Sequence, residues 1–199
     1  ECVVARPLLW SMETPHLYRL VSNVYVNSEL WDTYETCFGF RTIRFDKDKG
    51  FFLNGQSVKL KGICLHHDLG PLGAAVNMRA IERQLEIMQE MGCNAIRTSH
   101  NPPAPELLEL CDRMGFVVQV EAFDEWRTGK NTNGYHCYFD DWAERDLQAM
   151  IRRDRNHPSV IMWSIGNEVR EQGKVEGAEI ARWLTEICHR EDPTRPTTA

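Results

Sequence analysis

The chain has 199 residues, 42% of them hydrophobic and 26% charged, with a formal net charge of -6. That length suits one large domain, or a small domain plus part of another. The acidic balance argues against a nucleic-acid surface, and no apolar run approaches the ~20 residues that cross a bilayer, so neither nucleic acid nor membrane is an expected partner.

Up to about residue 46 the chain has β character. "HLYRLVSNVYVN" alternates apolar and polar residues, with one slip of phase, and "DTYETCFGFRTIRFD" alternates again around Gly39, which suggests a bulge or bend. Strands this few make a poor domain by themselves. They look like the last strands of a sandwich. "KDKGFFLNGQSVKLKG" then reads as a hairpin turning on Asn54–Gly55.

From Val58 strand and helix alternate. "VKLKGICL" is a strand, followed by a helix over "NMRAIERQLEIMQEMG" with Asn77 as N-cap, Ile81, Leu85 and Met88 on its inner face, and Gly92 beyond its end. "NAIRTS" precedes the helix "APELLELCDRMG", which opens at prolines and stops at Gly115. "FVVQVEA" precedes "FDDWAERDLQAMIRRDR", a helix with Ala143, Leu147, Met150 and Ile151 inward, and "SVIMWSIG" precedes "VEGAEIARWLTEICHRED". "DPTRPTTA" reads as the approach to a fifth strand. Repeated β/α units predict a parallel sheet with right-handed crossovers. A doubly wound sheet and a (β/α)8 barrel compete. The first strand ends in "CLHHDLGPLG" rather than a G-x-G-x-x-G turn, which favours the barrel. A full barrel takes about 250 residues. The expectation is therefore the C-terminal part of a β-sandwich (1–46), followed by the first half of a (β/α)8 barrel (47–199).

In a barrel the functional edge is the C-terminal end of the strands. Those ends read His66–His67–Asp68, then Arg97 through Asn101, then Glu121 with Asp124 and Glu125 behind it, then Asn167–Glu168. Each strand delivers polar groups to one rim. There is no G-x-S-x-G elbow and no P-loop. Carboxylates, histidines and tryptophans dominate, as glycoside hydrolysis requires. Trp126 is expected to be a sugar platform and Trp163 core. Glu121 is read either as a pocket residue or as a buried partner of Arg97. Asp68 binds substrate or holds its loop, and Asp124 is left open. His67, His136 and His157 are expected to be structural. The seven cysteines include no C-x-x-C pair and are expected to be free thiols, which fit a reducing compartment without excluding the periplasm. The compartment stays unknown.

"WSIGNE" (163–168) resembles the acid/base motif of glycoside hydrolase family 2, whose best-known members are β-galactosidases and β-glucuronidases. "NAIRTSHNPP" with "LCDRMGFVV" resembles that family's other signature, and the similarity runs through "RDRNHPSVIMWSIGNE" and back into "GFRTIRFD…GFFLNGQSVKLKGICLHHD". The resemblance implies a retaining exo-β-glycosidase of β-galactosidase type, with an immunoglobulin-like sandwich preceding its barrel. It makes Glu168 the general acid/base and Asn167 the partner of the sugar 2-hydroxyl. It makes His66, His100 and Glu121 substrate-pocket residues, and places Arg97 near the carboxylates; from their place at the strand ends, Asp68, Arg97 and Asn101 are also expected to bind substrate. The family's nucleophile, a second Glu on a later strand, is expected beyond Ala199, so the isolated chain is expected to be inactive. Some family members use magnesium or sodium. Here "EAFDEWRTGKN" lacks the Glu–Thr–His pattern, and no cofactor or metal is expected. The expected partner is a carbohydrate, and a homo-oligomer of the full-length enzyme stays open. Two alternatives stand: a β-glucuronidase or other family 2 exo-glycosidase, and a carbohydrate-binding module without catalysis.

Overall fold

The computed structural model describes residues 3–199; Cys2, counted above among the thiols, lies outside them. Strands β1 (Tyr18–Val26) and β2 (Glu29–Phe38) form an antiparallel ribbon. Asn27 and Ser28 join them with positive φ at both positions, the turn geometry whose twist matches that of the flanking strands. The register shifts between Val24 and Tyr25, in the segment where the alternation slips. Leu20, Val24, Leu30, Trp31 and Tyr34 are all exposed on this ribbon.

Strands β3 (Ile43–Asp46), β4 (Gly50–Leu53) and β5 (Gln56–Val58) form a second antiparallel sheet. Asn54–Gly55 makes the expected turn, with φ of 51° and 79°. Ile43–Asp46 was expected to extend the ribbon, but it pairs with β4 instead. The break falls at Gly39, where a Cβ would stand 2.9 Å from Pro158 and 3.0 Å from Trp10. Phe51 and Leu53 pack with the fully buried Trp10 and with Val117 and Ile161. Val117 and Ile161 lie at the starts of their strands, so this sheet closes the N-terminal end of the barrel. Arg41 reinforces the join by donating to the carbonyls of Pro158 and Val160. Burial, then the neighbouring Arg195, pull its guanidinium down to about 9, which still leaves it charged at neutral pH.

The remaining strands are β6 (Gly62–His66), β7 (Ala95–Ser99), β8 (Val117–Glu121), β9 (Val160–Ser164) and β10 (Thr197–Thr198). They form one parallel sheet in sequence order. A doubly wound sheet would reverse its order at a switch point. This one rolls steadily in one direction, as half a barrel does. The first strand is shorter than predicted: it starts at Gly62, where a Cβ would sit 2.9 Å from the Ala95 carbonyl oxygen.

Helices α1 (Met78–Glu90), α2 (Pro105–Met114), α3 (Phe139–Asp154) and α4 (Val175–Glu191) lie where the periodicity places them. Asn77 Oδ1 accepts from Ala80 N, and Gly115 ends α2 in the left-handed conformation. Ile96, Val118, Val120 and Trp163 pack outward against Leu85, Leu108, Leu147 and Leu184 of the helices. The alternate residues face inward: Cys64, Arg97, Gln119 and Met162 stand in one register layer. Above them come His66 beside Ser99, and Glu121 beside Ser164. One detail keeps β9 in phase. The β8–β9 register shifts by a residue between Val118 and Gln119, with Ile161 as the extra residue. Without that bulge Ser164 would exchange faces with Trp163.

Candidate active site

The centre of the site is a buried ion pair. Glu121, at the C-terminal end of β8, has no exposed surface. Arg97 of β7 donates to it through Nε at 2.8 Å and Nη2 at 3.0 Å. His100 Nδ1 lies 2.6 Å from Oε1, and Ser164 Oγ donates to Oε2 at 2.6 Å. All of these groups sit at neighbouring strand ends, which is why parallel strands of equal phase gather them. Burial pulls the Arg97 guanidinium down, but its bonds to Cys64 and Glu121 outweigh that and hold it charged. Arg97 and then Ser99 hold the Cys64 thiol below its usual range. Glu121 is thus the buried partner of Arg97, one of the two readings left open by the sequence.

Asn167 is held from several sides. Its Oδ1 accepts from Arg97 Nη2 at 2.8 Å, and its Nδ2 donates to Asp124 Oδ1 at 2.9 Å. Its backbone carbonyl accepts from Lys130 Nζ at 2.8 Å, and the same ammonium donates to Asp124 Oδ1 at 2.8 Å. Burial alone would raise Asp124, but the bonds from Lys130 and Asn167 hold it below the usual carboxylate range. Glu168 follows with φ +43°. A left-handed residue with a side chain costs about 1 kcal/mol and persists only where its surroundings impose it. Its side chain is exposed, and among the described residues it makes no hydrogen bond. Glu168 is therefore a rim carboxylate that, unlike Glu121, Asp124 and Glu125, has no hydrogen-bond partner among the described residues.

His66 joins this group by packing edge-on to His100, ring centroids 5.1 Å apart. Asp68 and Asn101 do not join the ion pair. With His66 they line a small recess between the first two strand ends. The Asp68 carboxylate caps its own loop by accepting from Gly70 N at 2.6 Å. The barrel's concave face below the rim is an open cleft, lined among others by Cys64, Arg97, Gln119 and Met162.

The expectation for Trp126 requires correction. Its indole is only 2% exposed, and Nε1 donates to the Ile165 carbonyl at 2.7 Å. The loop folds back under the strand end, with the indole against Gly166, so Trp126 is a prop beneath the Asn167–Glu168 turn and offers no face to a sugar. Trp163 is core, with Nε1 bonded to Asp192. His67, His136 and His157 are structural, bonded to the Ala74 carbonyl, Glu125 and Asp112. Sequence reading missed Ser164 and Lys130. Neither carried a signal: Ser164 faces inward only because of a bulge that the apolar run before it does not show, and Lys130 sits in the polar stretch "RTGKN".

Glu125 does not fit a metal. Its carboxylate accepts from the backbone of His136 and Lys130 and pairs with His136 Nδ1, which closes the loop on itself. Burial raises that carboxyl, and these bonds more than reverse the effect. Among the described residues, no group of three or more His, Cys, Asp or Glu side chains could hold a metal ion. The cysteines among them are all free thiols.

Comparison with known proteins agrees with this fold. Residues 45–199 match the family described as "Glycosyl hydrolases family 2, TIM barrel domain", and residues 1–41 match "Glycosyl hydrolases family 2". Beta-galactosidase BoGH2A of Bacteroides ovatus is 62% identical over 172 residues, 86% of this chain and 20% of that protein. A putative beta-glucuronidase of Formosa agariphila is 38% identical over 196 residues, 98% of this chain and 18% of that protein. The crystal structure of a glycosyl hydrolase family 2 member from Bacteroides cellulosilyticus superposes with a TM-score of 0.94 at 48% identity. That match covers 98% of this chain and 25% of the solved one. The chain thus spans about a quarter or less of the length of these relatives.

Proposed function

The chain belongs to glycosyl hydrolases family 2, and from that premise we propose that it forms part of a retaining exo-β-glycosidase that hydrolyses terminal β-galactosides. The observation that carries the reading is the contrast at the rim. Glu121, Asp124 and Glu125 are engaged in ion pairs and hydrogen bonds, whereas Glu168 stands free beside a tightly held Asn167. The 62% identity to a protein named beta-galactosidase favours galactose as the sugar.

Glu168 then protonates the glycosidic oxygen as the bond to the leaving group breaks. A second carboxylate attacks the anomeric carbon and forms a glycosyl-enzyme. Glu168 next removes a proton from the water that releases the sugar with retained configuration. Because Glu121 and Asp124 are committed elsewhere, the second carboxylate is proposed to come from outside these 199 residues, about 5 to 5.5 Å from Glu168. Asn167 keeps one amide hydrogen beyond its bond to Asp124, enough to donate to the sugar 2-hydroxyl. His66 and His100 flank the same place and are proposed to contact the sugar. Asp68 and Asn101 would do so from the neighbouring recess.

A β-glucuronidase is the second reading, favoured by the 38% identity to a protein of that name. The test is a panel of aryl β-galactoside, β-glucuronide and β-glucoside given to the full-length protein, with NMR of the first-formed anomer. Turnover of the galactoside to β-galactose supports the proposal. Preference for the glucuronide transfers it to the second reading. Binding without turnover of any glycoside makes the protein a carbohydrate-binding module, and α-product refutes the retaining mechanism.

A further inference from the structure

Nothing in the side-chain contacts of Glu168 fixes where its carboxylate points. It is exposed, it has φ +43°, and among the described residues it makes no hydrogen bond. Its direction must come from the backbone before it, and above all from the peptide joining Asn167 to Glu168. The carbonyl of that peptide accepts one side-chain hydrogen bond, from Lys130 Nζ at 2.8 Å. Lys130 is itself fixed, because the same ammonium sits 2.8 Å from Asp124 Oδ1, an atom that also accepts from Asn167 Nδ2. Its side chain is 20% exposed.

The contact is part of a wider seam between two loops. Trp126 Nε1 donates to the Ile165 carbonyl, and Thr128 N donates to Glu171 Oε1 at 2.7 Å. The segment after β8 therefore grips the segment after β9 on both sides of Glu168. Three of its bonds reach the residues just before that glutamate and one reaches just past it. In this seam only Lys130 brings a charge to the peptide plane that aims the acid.

We infer that Lys130 is a positioning residue for the general acid/base: its ammonium, braced by Asp124, locks the Asn167–Glu168 peptide and so fixes the direction in which Glu168 leaves the rim. The inference rests on the reading of Glu168 given above. It concerns alignment, so its signature is loss of the proton-transfer steps with little change in substrate binding. Misplacement of a catalytic group by about 1 Å costs on the order of 100-fold in rate.

The test uses the full-length protein, a 2,4-dinitrophenyl glycoside of its preferred sugar, and sodium azide. That leaving group departs without protonation, so the glycosyl-enzyme forms even when the acid is misaligned, and its breakdown by water needs the base. Azide needs no base. Its nitrogen bonds to the anomeric carbon as the ester bond to the nucleophilic carboxylate breaks, and the electron pair returns to that carboxylate. The product is a β-glycosyl azide.

Lys130→Met is expected to lower kcat about 100-fold, with KM falling alongside it as the glycosyl-enzyme accumulates and kcat/KM changed little, and azide is expected to restore at least tenfold of the loss in kcat. Lys130→Arg, which keeps a cation within reach of the carbonyl, is expected to stay within tenfold of the parent and to need no azide. A thermal melt of each variant checks folding. A Lys130→Met protein that is folded and kinetically normal overturns the inference, as does one whose loss is confined to KM or is untouched by azide. Glu168→Ala separates the two claims. If that variant is rescued by azide and Lys130→Met behaves as the parent, only the role of Lys130 falls. If Glu168→Ala is not rescued, the acid/base assignment falls first and the inference about Lys130 falls with it.

Discussion

Replacing Glu121 by Gln changes one atom and should unsettle the whole rim. The carboxylate, itself without exposure to water, accepts from Arg97 Nε and Nη2 and from Ser164 Oγ and pairs with His100 Nδ1, both basic partners being partly exposed. An amide accepts at only one of its two terminal atoms. Whichever way the new amide turns, its NH2 faces a nitrogen of Arg97. If it replaces Oε1 it opposes Nη2; if it replaces Oε2 it opposes Nε and the serine hydroxyl. Removing one partner of a fully buried pair costs about 3 to 5 kcal/mol, because the other charge stays behind unpaired; Arg97 is 28% exposed, so water takes up part of its charge and lowers that cost. Arg97 is held charged here, so it cannot escape by losing its proton. The remaining acceptors near it, Asn167 Oδ1 and Cys64 Sγ, are neutral or weak. We expect Glu121→Gln to lose about 2 to 3 kcal/mol in urea unfolding of the barrel. Tryptophan fluorescence can follow the transition, since Trp163 is fully buried. Arg97→Met alone should be similarly costly, and the double variant should recover about 1 to 3 kcal/mol relative to the sum. A cost below about 1 kcal/mol for Glu121→Gln, or strict additivity with Arg97→Met, would refute the reasoning.

Other expectations concern conformation and pH. Gly115→Ala and Gly92→Ala both place a side chain at positive φ, near 80° in each case. A Cβ on Gly92 meets nothing within 4 Å, whereas one on Gly115 would stand 2.0 Å from the Met12 carbonyl oxygen. Gly92→Ala should cost about 1 kcal/mol and Gly115→Ala about 2 to 5 kcal/mol in denaturant unfolding; equal costs would show that the Met12 contact does not constrain the fold. Asp124 is held below its ordinary value of 3.8 in the folded state. Its contribution to stability is therefore complete above that value and is lost as pH falls through the lower folded one. Asp124→Asn should flatten the fall of stability below about pH 4, and curves that stay parallel in acid unfolding would sink that account.

The regular parts of this fold were readable from spacing alone. Ile81, Leu85 and Met88 declare one helix face, and Gly115 marks the end of the next helix by its need for positive φ. The four strand ends could be aligned from the residues themselves, because parallel strands of one phase must present their last residues to one rim. What could not be read depends on contacts between distant segments. Ile43–Asp46 alternates as well as any strand, and nothing in its residues says that it pairs with β4 rather than extending the ribbon. The bulge at Ile161 is invisible in an apolar run, yet it decides which way Ser164 faces. Trp126 looks like a platform because its neighbours are loop residues, and it becomes a prop because that loop folds back to the Ile165 carbonyl. Lys130 sits in a stretch of polar residues typical of a solvated turn. Its value lies in meeting Asn167, 37 residues later in the chain.

The central claim is that Glu168 transfers the proton. The most direct measurement is the leaving-group dependence of Glu168→Gln in the full-length protein, across aryl β-galactosides whose phenols range from acidic to weakly acidic. The account predicts that kcat/KM falls little for the most acidic phenol and by about 100-fold or more for the least acidic, so that the Brønsted slope steepens. An equal loss for every phenol would contradict it and return Glu168 to the status of a surface carboxylate.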